Sequence, residues 1–280
     1  MPNQRLIDPA SGARGLSGVF LACLLAMTTL SCASEGEDAA QASPAPPQEE
    51  ALPNTLTDAE QAAGWRLLFD GASFAGWRGL GRDTIPEGHW IIEDGAIRKV
   101  ASGDVPTAAD GQPLEGGDIM TVDSFENFEL TLEWKVSQAA NSGIKYNVSE
   151  EMSTANPPGH AALGFEYQIL DDDHHPDAQN GPNRTAGALY DMIPPGPAKK
   201  LRPVGEYNQA RLVFQDTHVE HWLNGEKVVE YDLGTARFDS LLAASKYAPV
   251  EGFADKRTGH IVLQDHGDDV WFRNIKIREL

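Results

Sequence analysis

The chain is poor in cysteine, in basic residues and in helical periodicity, and each shortage removes a class of answer. Of its 280 residues only Cys23 and Cys32 are cysteines, both near the first apolar run. The remainder therefore has no disulfide framework, no thiolate zinc site and no cysteine nucleophile. Lys and Arg number 22 against 42 Asp and Glu, for a formal charge of −20, or −21 without Arg5, Arg14 and Asp8. So acidic a body repels phosphate backbones and anionic headgroups, which makes nucleic acid a poor partner. A neutral substrate or a cation is compatible with it, and solubility accounts for much of the charge. HExxH, GxSxG and a phosphate-binding glycine loop are all missing, which removes support for protease, esterase and nucleotide readings. No nucleotide or redox cofactor is expected. Internal repeats are also missing. The best helical stretch is the short TDAEQAAGW, where Thr57 can cap and Glu60 can complete the capping box.

What is present begins with an export signal. Arg5 and Arg14 precede the apolar run GVFLACLLAMTTL, and Leu30-Ser31-Cys32 follows it. The run is too short for a membrane-spanning helix. Leu-Ser-Cys is similar to a bacterial lipobox, with Thr29 where that motif usually has Leu, and this predicts lipidation of Cys32; ordinary signal cleavage is the alternative. Residues 1–32 are thus expected to be a lipoprotein signal peptide, residues 33–63 a disordered Pro, Ala and Glu-rich tether, and residues 64–280 the folded domain. The expected location is the periplasm or cell surface, on a bacterial membrane.

The folded part alternates with period two. FELTLEWKV sets Phe128, Leu130, Leu132, Trp134 and Val136 on one face and charged or polar residues on the other. HWII, AIRKV, GIKYNV, GFEYQIL, QARLVFQ, HVEHWL and EKVVEY are further strands, and Asn224-Gly225 predicts a two-residue hairpin turn. Many short strands with few helices predict an all-β domain of two packed sheets, a sandwich or jelly roll. Near the end, IVL and VWF read as a hairpin whose joint, QDHGDD, is unusually rich in possible ligands. The long connections 101–117, 149–162 and 171–186 are candidate functional loops.

Candidate chemistry follows from parity. Phe165, Tyr167 and Ile169 share one face, so Glu166 and Gln168 share the other; Ile144, Tyr146 and Val148 likewise leave Lys145 and Asn147 outward. If these strands are neighbours, a carboxylate, an amide and an ammonium converge on one exposed sheet surface, either as a site or as a solvated face with cross-strand ion pairs. The loop DDDHHPDAQNGPNR can supply cation ligands, while His218 and His221 point to opposite faces of their strand and do not share a metal.

Taken together, WRLLFDGASFAGWRG, NSGIKYNV, GFEYQILDDDHHPDA, TAGALYDMIPP, HVEHWLNGEKVVEYD and GHIVLQDHGDDVWFRNIKIREL resemble the DUF1080 family, also described as the 3-keto-disaccharide hydrolase domain. That resemblance implies a concanavalin A-like jelly-roll β-sandwich, usually exported, acting on glycosides that a partner sugar 3-dehydrogenase has oxidised at carbon 3. The ketone acidifies the hydrogen on carbon 2, so a base and an electrophile suffice for elimination, and added water completes a net hydrolysis. Carried onto this chain, the resemblance makes Glu166 the first base or metal ligand, His266 the second and Lys145 a candidate electrophile. Asn141, Gln168 and Gln264 become substrate contacts, with Asp265 facing inward to hold its loop. A divalent metal of unknown identity, on Glu166, Asp171 and His175, is a possible electrophile. Two alternatives stand beside this. One is a carbohydrate-binding module in which Tyr190 and Trp222 stack on sugars; the other is a glycosidase using Glu166 and Asp171 as paired carboxylates.

Overall fold

Period-two alternation yields thirteen strands in the computed structural model, which describes residues 52–107, 114–155 and 161–280. In chain order they are β1 (Arg66–Leu67), β2 (Trp77–Gly79), β3 (Trp90–Glu93), β4 (Ala96–Lys99), β5 (Ile119–Thr121), β6 (Phe128–Val136) and β7 (Asn141–Val148). They continue with β8 (Phe165–Leu170), β9 (Asn208–Gln215), β10 (His218–Leu223), β11 (Glu226–Asp232), β12 (His260–Leu263) and β13 (Val270–Glu279). One sheet runs β11-β10-β9-β6-β13-β4-β3, with β1 added on β13; the other runs β2-β5-β12-β7-β8, and every pairing is antiparallel. The fold is an all-β jelly-roll sandwich. Its core holds the inward residues of both sheets, among them Phe128, Trp134, Tyr146, Phe165, Tyr167, Phe214 and Phe272.

The Asn224-Gly225 turn joins β10 to β11 with positive φ at both residues, as the sequence predicts. The reading of IVL and VWF as a hairpin is corrected. β12 pairs with β5 and β7 in the five-stranded sheet, whereas β13 pairs with β1, β4 and β6 in the other, so QDHGDD crosses between sheets. Asp265 holds that crossing. Its carboxylate accepts from the Gly117 and Gly267 N–H groups, at 3.0 Å each, and lies 3.0 Å from the Lys99 ammonium.

A second correction concerns β7. Against β12 the register slips between His260↔Val148 and Val262↔Lys145, and Asn147 takes φ 52°, so β7 carries one extra residue there. The bulge rotates Val148 away from the main core and into a small apolar cluster with Leu80, Met120, Ala162 and Val262. Strict alternation had placed it inward.

Helices are α1 (Asp58–Ala62), α2 (Glu150–Ala155) and α3 (Ala236–Ala244). α1 carries the capping box of Thr57 and Glu60. α3, capped by Thr235, was not expected; only Phe238 of it is fully buried, so its apolar period is weak. The tether expected through residue 63 ends earlier, because Asn54 is buried and its side chain bonds to both Gly95 and Asn274. The signal segment 1–32, its Cys32, and the tether up to residue 51 lie outside the described residues. Among the described residues no helix is long and apolar enough to cross a membrane.

Candidate active site

β8 is an edge strand, and the chain protects it. Residues 187–190 run alongside: the Gly187 N–H bonds to Gln168 O, the Gln168 N–H to Ala188 O, and the Tyr190 N–H to Glu166 O. This lateral cover puts the Tyr190 ring next to Glu166. On the other side, β7 sets Lys145 directly opposite Glu166 and Gly143 opposite Gln168. Glu166, Gln168, Lys145 and Asn141 therefore do converge on the outer face of the five-stranded sheet. The expected exposure is corrected, however. All four are buried, with Gln168 at 0 % and Glu166 at 2 %.

Gly143 leaves the room that this row requires, since a Cβ there would stand 2.8 Å from Glu166 Oε1. With its amide turned to satisfy both ends, Gln168 donates to Glu166 Oε1 at 3.0 Å and to Ser142 O at 3.1 Å; its other end lies 3.2 Å from the Asn141 side chain. Around Oε2 stand the Tyr247 hydroxyl at 3.4 Å and the Lys145 and Lys246 ammonium groups, each at 3.9 Å. Among the described residues no ammonium or guanidinium comes nearer to Glu166 than 3.9 Å.

Lys145 has other duties. Its ammonium donates to Ala162 O at 3.1 Å, and the Ala162 N–H donates to Asp118 Oδ2 at 3.0 Å. Together Lys145 and Asp118 fasten the chain where it returns over the sheet after α2. Burial pushes the Asp118 carboxyl up from the usual range, with Lys145 opposing that shift. Beside them the Gln264 side-chain oxygen is buried without a partner among the described residues, while the Gln264 backbone is fixed by Gly143 O and by Ser142 Oγ. An unpaired buried acceptor is costly, and a sugar hydroxyl is the kind of donor that would satisfy it.

At the other end of this row the Asp268 carboxylate accepts the Asn141 N–H at 2.9 Å. His175, His266 and Asp268 each offer a ligand atom, and these atoms lie within 4.8 Å of one another. This corrects the expected metal set of Glu166, Asp171 and His175, of which only His175 is in the group. Asp171 lies just past the end of β8, an odd number of residues from Glu166, and its carboxylate turns to other partners. It accepts from the Ala139 N–H and from His174. Burial would raise the Asp171 carboxyl, but these hydrogen bonds outweigh it and hold the group below its ordinary value. So held by Ala139 and His174, Asp171 is not turned toward Glu166 as a paired glycosidase carboxylate would be.

Trp222 is also displaced from the site. It lies on the outer face of the eight-stranded sheet, where Arg211 covers its ring and Glu220 accepts from its indole N–H. His221, the inward neighbour, is a structural histidine. Its Nδ1–H donates to Gly187 O, its Nε2 accepts from the Tyr146 hydroxyl, and burial pushes it down to about 4. Tyr190 does stand beside Glu166. Its hydroxyl donates to Asp177 at 2.8 Å, and burial, then Asp177, raises it.

The profile of the family described as 3-keto-alpha-glucoside-1,2-lyase-like domain matches residues 64–278. The chain belongs to that family. This chain is a glycoside-processing enzyme. A Bacteroides thetaiotaomicron protein named 3-keto-disaccharide hydrolase is 41 % identical over 237 residues, 78 % of this chain and 79 % of its own length. A crystal structure of a candidate glycosyl hydrolase from Parabacteroides distasonis superposes with TM-score 0.67 at 33 % identity, covering 82 % of this chain and all of that one. A second from the same organism gives 0.57 at 30 % identity, covering 77 % and 99 %.

Within this 3-keto-alpha-glucoside-1,2-lyase-like domain, sequence reasoning missed Asp118, Lys246 and Tyr247 and did not single out Asp268. Lys246 and Tyr247 follow α3 in the stretch SKYAPV, where no alternation assigns a face. Asp118 lies one residue before β5, a strand too short to carry a pattern. Only Asp268 had a signal, its place in the ligand-rich QDHGDD.

Proposed function

We propose that this enzyme cleaves 3-keto-glycosides by removing the hydrogen on carbon 2, eliminating the group on carbon 1, and adding water to the unsaturated sugar. The observation that supports this most is Glu166: a buried carboxylate with no cation nearer than 3.9 Å among the described residues, reached by one amide, one phenol and two ammonium groups. Glu166 takes the carbon 2 proton. The Gln168 amide steadies its other oxygen, and the surrounding cations favour the negative charge that develops on the sugar oxygens. Gln264 accepts from a sugar hydroxyl, and Tyr190 offers its ring as a wall.

Two imidazoles and one carboxylate suit a divalent transition metal, and His175, His266 and Asp268 would hold it. Bound there, such an ion supplies Lewis acidity toward the ketone oxygen. Export with a lipid on Cys32, residence in the periplasm or at the cell surface, and supply of substrate by a sugar 3-dehydrogenase complete the reading.

The test offers the purified protein a glucoside and its 3-keto derivative in deuterated water, with both followed by mass spectrometry. Cleavage of the keto compound alone, with deuterium entering carbon 2, is the expected result. Equal cleavage of the unoxidised glucoside, or keto-glycoside cleavage without deuterium uptake, would overturn it.

A further inference from the structure

We infer that Lys246 is the acid that protonates the departing oxygen on carbon 1, and then the base that takes a proton from the incoming water. This rests on the elimination reading above. Elimination at a carbon flanked by a ketone asks two things of a protein: removal of a proton from carbon 2 and delivery of one to the oxygen on carbon 1. Those atoms sit on neighbouring carbons, so the acid must stand beside Glu166.

Among the described residues, two ammonium groups and one phenol stand within 4 Å of its Oε2. Lys145 is buried at 3 %, donates to Ala162 O and faces Asp118, so moving its proton would loosen the chain it fastens. Tyr247 is held well above the ordinary phenol range by burial and by the Glu166 charge, which makes it a reluctant donor at neutral pH. Lys246 is different. Its ammonium is 3.9 Å from Glu166 Oε2, lies 4.1 Å above the Tyr190 ring and 4.9 Å from the Tyr247 ring, and its side chain is 44 % exposed.

Two rings and one carboxylate hold this ammonium at the boundary between site and solvent, where a substrate can meet it. Its backbone is fixed as well, because the Lys246 N–H donates to Asp191, itself paired with Arg184. Glu166 and Asp191 favour the charged form; Lys145 and Arg184 oppose it. Burial is the largest influence and lowers the ammonium from its ordinary value, toward that of a usable acid.

The step balances. Glu166 takes the carbon 2 proton, the electron pair becomes the carbon 1–carbon 2 double bond, the bond from carbon 1 to oxygen breaks, and Lys246 gives its proton to that oxygen. In the second half, water bonds to carbon 1 and yields a proton to the Lys246 amine, while Glu166, whose proton has meanwhile exchanged with solvent, protonates carbon 2. One water is consumed and both side chains end as they began.

The test uses Lys246→Met and Lys246→Arg with a series of 3-keto-glycosides, from a nitrophenyl leaving group to a sugar alcohol. A nitrophenolate departs without a proton. Whatever the variants lose on nitrophenolate release, read in a single turnover, they should lose ~10²–10⁴-fold more on release of the sugar aglycone, the usual range for general acids. Deuterium exchange at carbon 2 should continue, which a merely misfolded or displaced Glu166 would not allow. An equal loss across all leaving groups, or lost exchange in both variants, overturns the assignment. Failure of the wild-type protein to exchange carbon 2 at all would instead overturn the elimination reading itself.

Discussion

The outer faces of the two sheets are both rich in charge, yet they handle it in opposite ways. On the eight-stranded sheet Glu129 sits between Arg211 and Arg278, Glu133 pairs with Arg273, and Arg98 bridges Glu93 and Asp269, all at close hydrogen-bonding distance. On the five-stranded sheet Glu166 lies deeper and, among the described residues, has no ammonium nearer than 3.9 Å. A surface that needs only solubility pairs its charges closely. One that must move a proton leaves the carboxylate incompletely paired and shields it from water. The density of charge does not separate them; the gap between burial and partnering does.

The sharpest way to break that comparison is Glu166→Gln, which keeps shape and most hydrogen bonding but removes the base. Turnover of a 3-keto-glycoside should fall by ~10²–10⁴-fold with little change in substrate binding by calorimetry. Retained turnover would make Glu166 a structural residue and shift attention to His266.

Next in size is Lys145→Met, which leaves two buried carboxylates, Glu166 and Asp118, short of a cation. Breaking a buried pair costs about 3 kcal/mol or more, to be read from urea midpoints. Combining it with Glu166→Gln should recover part of the loss. A single-variant change below about 1 kcal/mol would mean that Lys246 alone balances the site.

Between the sheets His221 supplies a third arrangement, fully buried and fully partnered. Its folded value, pushed down to about 4 from 6.5 by burial, means that the unfolded chain binds the extra proton between those limits. Stability is thus complete above about pH 6.5 and declines as pH falls toward 4, by about 3 kcal/mol from this group. His221→Gln should flatten that part of the urea-midpoint profile; an unchanged slope would assign the acid sensitivity to other groups.

The smallest effect belongs to the eight-stranded sheet. Glu133→Ala removes the partner of Arg273, and both side chains are over a quarter exposed, so the cost should stay within ~1 kcal/mol and turnover should not change. A larger loss of turnover would show that this face also takes part in function.

How far the sequence reaches is clear from particular residues. FELTLEWKV is β6 to the residue, and Glu166 with Gln168 on one face followed from alternation alone, because a two-sided strand has only one way to hide Phe165, Tyr167 and Ile169. Alternation cannot say what covers the other face. Glu166 therefore read as exposed, since its cover comes from residues 187–190 and from Lys246 and Tyr247, remote in sequence and outside any strand. Val148 was misplaced by a one-residue bulge, and IVL and VWF by the habit of joining neighbouring strands into hairpins. Asp171 looked like a ligand because it is acidic and close in sequence. Its parity, already legible, argued against it.

Asn54, clasped between Gly95 and Asn274, fixes where the polypeptide enters the domain. It enters on the eight-stranded sheet, and Glu166 opens from the opposite side of the sandwich. The point where the chain enters therefore takes up none of the face that carries Glu166.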